Sequence, residues 1–151
     1  MNIKDLVKNA ILIAIYVVVI GVNPIGFGAI QFRIGEALSV IPFFNRKYVP
    51  ALIIGGALAN LYSPLGPIDM VVGAACAIIA YSFSKFIKSP YINSLIFATA
   101  SGILVAGELS YTGDVPFFLT ALSVGGSTLF ITLLASYLVE KSNLKKIIKE
   151  S

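Results

Sequence analysis

Residues 116–139 have the sequence PFFLTALSVGGSTLFITLLASYLV and contain no charged side chain. A helix needs about 20 consecutive, mostly apolar residues to cross the hydrocarbon core of a bilayer. This stretch therefore predicts a membrane-spanning helix. It also decides the fold class, because we expect a chain built around such segments to be an all-α integral membrane protein.

The composition of the whole chain agrees with this prediction. Of the 151 residues, 58% are hydrophobic and 12% are charged, whereas an average soluble domain is about 25% charged. A soluble domain of this size cannot bury so much apolar surface. The single cysteine excludes a disulfide-stapled scaffold, and the high hydrophobicity excludes a disordered chain.

The residue types that are missing limit the chemistry. The chain has no histidine and one cysteine, so we expect no zinc or haem cofactor. Acid–base catalysis by histidine is excluded for the same reason. The net charge of +4 is interpreted as a signal of membrane topology and not of nucleic-acid binding.

Turn residues and charges divide the rest of the chain into further apolar segments. Asn23 and Pro24 end the first of these. The second and third could form one long helix, but Arg46 and Lys47 would then lie near its middle, at a cost of about 2.5–3.5 kcal/mol each. Two short helices joined by a turn at Asn45 avoid that cost. We therefore predict one domain, 1–151, with six spans at about 6–22, 33–44, 49–62, 68–86, 91–109 and 116–139.

The distribution of basic residues predicts the orientation of these spans. With six spans both termini lie on one side, and that side receives all of the eleven basic residues except Arg33. The basic residues on the terminal side are Lys4, Lys8, Arg46, Lys47, Lys85, Lys88, Lys141, Lys145, Lys146 and Lys149. Because lysine and arginine accumulate on the cytoplasmic side, we expect both termini to be cytoplasmic.

Four acidic residues lie in the outer half of the predicted bundle. They are Glu36, Asp69, Glu108 and Asp114. Ionisable residues within spans are costly and usually functional, but each of these four also has a structural alternative. Glu36 could pair with Arg33 on one helical face, Asp69 could stabilise the start of its helix, and Asp114 fits a turn. Glu108 lies near the predicted C-terminal end of its helix, where an acid is unfavourable, so it is the strongest candidate for ligand binding.

Other residues of the predicted spans could also make specific contacts. Asn60 is an amide among apolar residues and needs a partner, which is either another helix or a ligand. Phe32 and Tyr111 could stack on a ligand or belong to the aromatic belt of the membrane interface. In the first span, Ala10 and Ala14 form a small-xxx-small step that lets another helix approach closely.

Several motifs of this sequence resemble a known family. The run GAIQFRIGEAL at 28–38 is followed by IPFF at 41–44, ANL at 59–61 and LGPID at 65–69. Together they are similar to the QueT-type substrate-binding subunits, which are S-components of energy-coupling factor (ECF) vitamin transporters. The similarity covers nearly the whole chain and includes the six spans and the step from Ala10 to Ala14.

The resemblance implies a substrate and partners. The substrate would be a queuosine precursor, 7-aminomethyl-7-deazaguanine, captured outside a prokaryotic plasma membrane. The S-component would then dock on a transmembrane coupling subunit driven by two ATPase subunits, and would topple in the membrane to carry the substrate inward. This chain lacks the glycine-rich phosphate loop with lysine that an ATPase needs, so we expect no catalytic site in it.

The outer-half residues suit such a ligand. A carboxylate can accept hydrogen bonds from both N1–H and the exocyclic amine of guanine, and the cationic aminomethyl group favours a second acid. We expect Glu108 to hold the base edge, Asp69 or Glu36 to lie near the amine, and Asn60 to add a hydrogen bond. The candidate substrate-binding residues are Gln31, Phe32, Arg33, Glu36, Asn60, Asp69, Glu108, Tyr111 and Thr128. Ala10 and Ala14 are the expected contact with the coupling subunit.

One position departs from the family pattern. The sixth span of the family usually carries Val-Gly-x-Gly-Glu-Leu, whereas this chain has VGGSTL at 124–129, with Thr128 in place of the carboxylate. The ligand could therefore be a relative such as queuine, another purine-like base or another vitamin. Two alternatives of a different class are an intramembrane enzyme with Glu108 and Asp69 as paired acids, and a small scaffold or channel-like bundle.

Overall fold

The computed structural model describes residues 2–23 and 25–150, and the regular elements in these ranges are all helices. The α-helices are α1 (Ile3–Gly21), α2 (Ile41–Phe44), α3 (Val49–Ala59), α4 (Pro67–Phe83), α5 (Pro90–Gly113), α6 (Phe117–Lys141) and α7 (Leu144–Glu150). Three short 3-10 helices lie at Ile34–Val40, Arg46–Tyr48 and Asn60–Tyr62. The predicted all-α class is confirmed.

Two helices, α5 and α6, are long and apolar enough to cross a membrane. Ile34–Phe44 and α4 are shorter apolar helices, and α1 carries Lys4, Asp5 and Lys8 near its start. Each predicted segment thus contains helical structure, while the count of six spans stays a prediction.

Several element boundaries differ from the sequence-based expectation. The second segment is a 3-10 helix for seven residues before the single α-turn of α2. Helix α4 ends at Phe83 and not near residue 86. Helix α5 continues to Gly113, where Asp114 leaves the helix in the left-handed region at φ 51°. Glu108 therefore lies more than one turn before the end of α5, and the residues that follow it are helical.

The helices nearest the two ends of the chain are fixed by side-chain hydrogen bonds. Helix α1 begins with a capping box in which Asn2 accepts a hydrogen bond from the backbone of Asp5 at 2.8 Å, and it ends at Gly21. The predicted break at Pro24 lies outside the described residues. The basic C-terminal tail forms α7, which Asn45 anchors by donating a side-chain hydrogen bond to the Ile148 carbonyl at 2.7 Å.

Helices α5 and α6 cross closely because two glycines face each other. A Cβ at Gly102 would lie 2.9 Å from the Ala121 carbonyl oxygen and 3.2 Å from the Gly125 Cα. Further along the same interface, the Ser94 and Ser136 hydroxyls are 3.3 Å apart and fully buried. Small residues and interhelical hydroxyl contacts are the usual means of packing helices in a bilayer.

The surface of the protein is unusually apolar for a soluble protein, whereas its core is an ordinary apolar cluster. The main core cluster joins α1, α3 and α4 around Tyr16, Leu52 and Tyr81. Many large apolar side chains face outward instead, and Leu122 and Val71 are 75% and 70% exposed. An apolar exterior of this extent fits a hydrocarbon surrounding.

Candidate functional site

A narrow cavity lies between α1, α3, α4, α5 and α6, beneath the loop that follows α1. Its volume is only about 30 Å³. About two waters would fill that space, so side chains or the loop must move apart to admit a heterocyclic base. The cavity brings together five of the candidate substrate-binding residues: Gln31, Arg33, Glu36, Asn60 and Thr128.

Glu36 is the carboxylate that lines the cavity. It lies in the 3-10 helix before α2 and is 5% exposed. Its Oε2 accepts hydrogen bonds from Ser39 Oγ at 2.8 Å and from the Tyr16 hydroxyl at 3.4 Å. The ion pairs within the described residues are Asp5 with Lys47 and Glu140 with Lys145, so Glu36 is held by two hydroxyls and not by an ion pair with Arg33.

The loop after α1 supplies one wall of the cavity through Gln31 and Arg33. Gln31 donates its side-chain N–H to the Gly28 carbonyl at 2.6 Å, and Arg33 Nε donates to the Gly26 carbonyl at 2.5 Å. The Arg33 guanidinium also lies 4.9 Å from the centre of the Phe27 ring. Gln31 Oε1 and Arg33 Nη2 are buried and have no hydrogen-bond partner among the described residues. The loop thus presents one acceptor and one donor.

Asn60 contributes a second acceptor from the 3-10 helix that follows α3. Its side-chain N–H donates to the Gly56 carbonyl at 2.7 Å, and this fixes the amide against α4. A Cβ at Gly73 would collide with the Asn60 amide nitrogen, so α4 needs glycine there. Asn60 is 3% exposed, and its Oδ1 has no hydrogen-bond partner in the described part of the chain. A buried acceptor without a donor is costly, which is typical of a site that meets a ligand.

Asp69 and Glu108 lie one turn beyond the cavity, on α4 and α5. Gly73 lines the cavity four residues after Asp69, and Val105 lines it three residues before Glu108. The two carboxyl groups act on each other electrostatically, and the residues are 5% and 8% exposed. Neither Glu108 oxygen meets a donor within the described residues. Neighbouring buried carboxylates repel each other, so a proton or a cation between them is favourable.

Other candidates lie away from this cavity. Tyr111 is 92% exposed and Phe32 is 37% exposed, and neither lines it. Asp114 is exposed in the turn after α5, as the structural alternative expected. Ala10 and Ala14 lie on the exposed face of α1, outside the site.

The cavity also contains aromatic residues that the sequence interpretation missed. Tyr16, Tyr81 and Phe97 line it, and the rings of Tyr81 and Phe97 are nearly parallel, at 16°, with centroids 6.3 Å apart. The Tyr81 hydroxyl donates to the Ser39 carbonyl at 3.0 Å. The sequence did contain a signal for the two tyrosines, because a tyrosine in the middle of an apolar segment needs a partner for its hydroxyl.

The chemistry of the cavity favours a flat ligand rich in hydrogen-bond donors. The buried polar atoms of the cavity that lack a hydrogen-bond partner among the described residues are mainly acceptors, and the Arg33 guanidinium is the donor. Aromatic rings form part of the lining, and the acid pair lies about one helical turn beyond the lining residues of α4 and α5. A heterocycle with an amine-rich edge and a positively charged substituent would match both features.

Comparison with known proteins gives two findings. The family model described as QueT transporter matches residues 6–143. A curated protein of Lactococcus lactis subsp. cremoris (strain MG1363), named Queuosine precursor transporter QueT, is 33% identical over 133 residues, which cover 77% of this chain and 78% of that protein. No solved structure gives a significant match.

Proposed function

The chain belongs to the QueT transporter family, and from this premise we propose that it is the substrate-binding subunit of an ATP-driven importer of the energy-coupling factor type. It is a membrane protein with apolar helices. Its proposed substrate is 7-aminomethyl-7-deazaguanine, captured on the outer side. Its proposed partners are a transmembrane coupling subunit and two ATPase subunits.

The main support for the proposed substrate is that a cavity lined with hydrogen-bond acceptors lies next to a separate pair of carboxyl groups. We assign the guanine edge to Glu36, since this carboxylate lines the cavity and its neighbours Ser39 and Tyr16 hold it in place. It would accept N1–H and the exocyclic amine together. Asn60 Oδ1 and Gln31 Oε1 would accept further ligand N–H groups, and Arg33 Nη2 would donate to the ligand carbonyl.

The acid pair of Asp69 and Glu108 is assigned to the ligand's ammonium group. This alters the expectation drawn from the sequence, in which Glu108 held the base edge. The reason is geometric, because Glu108 lies beside another carboxyl group and one turn outside the cavity lining. A cation between the two carboxyl groups removes their mutual repulsion, and each ammonium N–H gains an acceptor.

Thr128 leaves room for a variation in the ligand. It lines the cavity, is 3% exposed and stands where the family pattern carries a carboxylate. Within the described residues, Glu36 is then the carboxylate that lines this cavity. One acid would bind the base, whereas the family pattern provides two. A related base such as queuine is the second candidate, and it also carries a positively charged amine on its side chain.

The proposed transport cycle depends on the surface of α1. Ala10 and Ala14 are exposed on one face of this helix and leave no bulky side chain to hold a neighbouring helix away. We propose this face as the contact with the coupling subunit. The proposed topology has six spans with both termini in the cytoplasm, and its support is the concentration of basic residues on the side of the termini.

The substrate proposal is tested by identifying the natural ligand. The protein is purified from cells grown with a source of queuosine precursors, and small molecules released on denaturation are analysed by mass spectrometry. The expected result is a 7-deazaguanine derivative at up to one equivalent. Calorimetric titration with 7-aminomethyl-7-deazaguanine, queuine and guanine then ranks the ligands. Binding of none of these bases would overturn the proposal.

A further inference from the structure

A groove on the lipid-facing surface has no role in the proposed site. It lies between α1, α2 and α7, and we name it the α1–α7 groove. Its lining residues are Lys8, Ile11, Leu12, Ile15, Ile41, Tyr48, Ile147 and Ile148. Its volume is about 320 Å³, and its lining side chains are apolar except for Lys8 and the hydroxyl of Tyr48. Leu12 and Tyr48 form a buried floor, while Ile11, Ile15 and Ile147 are about half exposed.

The groove combines an apolar channel with a basic end. Lys4, Lys8, Ile11 and Ile15 are spaced four, three and four residues apart, so they share one face of α1. From Lys8 to Ile15 the helix rises about 10 Å, which corresponds to the first part of an acyl chain below its headgroup. The single acid in these turns, Asp5, is paired with Lys47 at 3.5 Å, so its charge is already balanced.

We propose that the α1–α7 groove binds an anionic phospholipid of the cytoplasmic leaflet. The acyl chain would lie against Ile11 and Ile15, and the phosphate would be held by Lys4 and Lys8. An ammonium has three donors, so Lys8 can bind a phosphate oxygen and keep its contacts within the protein. Basic residues at the cytoplasmic end of a membrane helix attract anionic headgroups, at about fivefold in affinity for each lysine. The proposal rests on the cytoplasmic orientation of the termini put forward above.

This lipid would lie beside the proposed contact with the coupling subunit. Ile11 and Ile15 directly follow Ala10 and Ala14 in the sequence, so the groove and the alanine face are neighbouring surfaces of α1. Helix α7 closes the groove with Ile147 and Ile148, and the hydrogen bond from Asn45 to Ile148 keeps it there. The bound lipid would thus complete the surface that faces the coupling subunit.

The test counts lipids bound to the full-length protein. The protein is purified in a neutral detergent and titrated with phosphatidylglycerol or phosphatidylcholine of identical acyl chains, and native mass spectrometry measures each affinity. We expect phosphatidylglycerol to bind about 30-fold more tightly at one site, since two lysines contribute. Lys4→Gln with Lys8→Gln should remove this preference. The matched control, Lys85→Gln with Lys88→Gln, removes the same charge elsewhere on the cytoplasmic side and should keep it.

A second pair of variants tests whether the acyl chain lies in the apolar part of the α1–α7 groove. Ile15→Trp should fill the groove and abolish the tight site. Ile103→Trp is the control, because it fills a lipid-facing groove between α4 and α5 that has no lysine in its lining. Inorganic phosphate at the same concentration should not compete, since it cannot use the apolar channel.

Equal affinity for the two lipids in the native protein would overturn the proposal, as would an unchanged preference in the Lys4 and Lys8 variant. A photocrosslinker at Ile11 in intact membranes should capture phospholipid, and capture of a protein helix instead would assign the groove to a partner subunit. The lipid measurement uses no substrate, so its failure would leave the proposed substrate binding intact.

Discussion

Replacing Glu108 by Gln should weaken binding of the proposed cationic substrate while leaving binding of an uncharged analogue nearly unchanged. The side chain keeps its size but loses its charge, and one acceptor oxygen becomes a donor. In the structure Glu108 is 8% exposed, its oxygens meet no donor among the described residues, and the Asp69 carboxyl group is its neighbour. An ammonium bound between the two acids would therefore lose one of two buried charge partners.

The magnitude follows from the burial of the pair. A unit charge 4 Å from an opposite charge gains about 4 kcal/mol at an effective dielectric constant of 20. Truncating one partner of a buried charge pair typically costs about 2–5 kcal/mol. At about 1.4 kcal/mol per tenfold, the expected loss of affinity is about 30- to 4,000-fold.

The assay is a titration of two ligands against two variants. The ligands are 7-aminomethyl-7-deazaguanine and 7-cyano-7-deazaguanine, which share the base and differ in charge. The control variant is Asp114→Asn, because this residue is exposed at φ 51° and asparagine tolerates that conformation. We expect less than about threefold change for Asp114→Asn with either ligand, in line with ordinary surface substitutions.

The pattern of losses decides between the possible roles of Glu108. A large loss restricted to the cationic ligand supports the acid pair as the ammonium site. Equal large losses for both ligands would mean that Glu108 reads the base, and no loss for either would mean that it is structural. Glu36→Gln provides the complementary case: it should weaken both ligands to a similar extent, because both present the same guanine edge.

Three further predictions concern topology, docking and packing. A membrane-impermeant thiol reagent should label Tyr111→Cys from outside intact cells but Lys88→Cys only after permeabilisation, and labelling of both from one side would contradict the topology. If α1 contacts the proposed coupling subunit, Ala14→Trp should abolish uptake and retain ligand binding, whereas Ala14→Ser should preserve both. Transport by an assembled Ala14→Trp complex would mean that the proposed contact lies elsewhere. Gly102→Ala should lower stability by about 1–3 kcal/mol because its Cβ meets the α6 backbone, while Gly107→Ala, with nothing within 4 Å, should not lower the thermal midpoint.

Composition and local pattern were sufficient for the fold class and for the helical segments. Uncharged stretches of span length predict helices, because a bilayer leaves the backbone no other hydrogen-bond partners. Residues 116–139 and 91–109 accordingly correspond to α6 and α5. Element ends were less predictable. The 3-10 helix at Ile34–Val40 packs so closely on α1 that a Cβ at Gly35 would lie 2.6 Å from the Ile20 side chain, a contact that no local pattern shows.

The candidate site was predictable in its residue types and not in its arrangement. Polar residues in apolar segments stand out in any sequence, because their burial is costly without a partner. That reasoning selected Glu36, Asn60 and Glu108. It could not show that Glu36 faces a cavity while Glu108 faces Asp69, since these residues come from different helices and their distances depend on how the helices cross.

The aromatic part of the cavity lining depends on tertiary structure in the same way. Tyr81 and Phe97 are ordinary apolar-segment aromatics until α4 and α5 pack side by side and bring their rings to 6.3 Å. The sequence decides which polar and aromatic side chains are available to a ligand. The packing of helices distant in the chain decides which of them meet, because long-range contacts are set by the fit of whole helix surfaces and not by neighbouring residues.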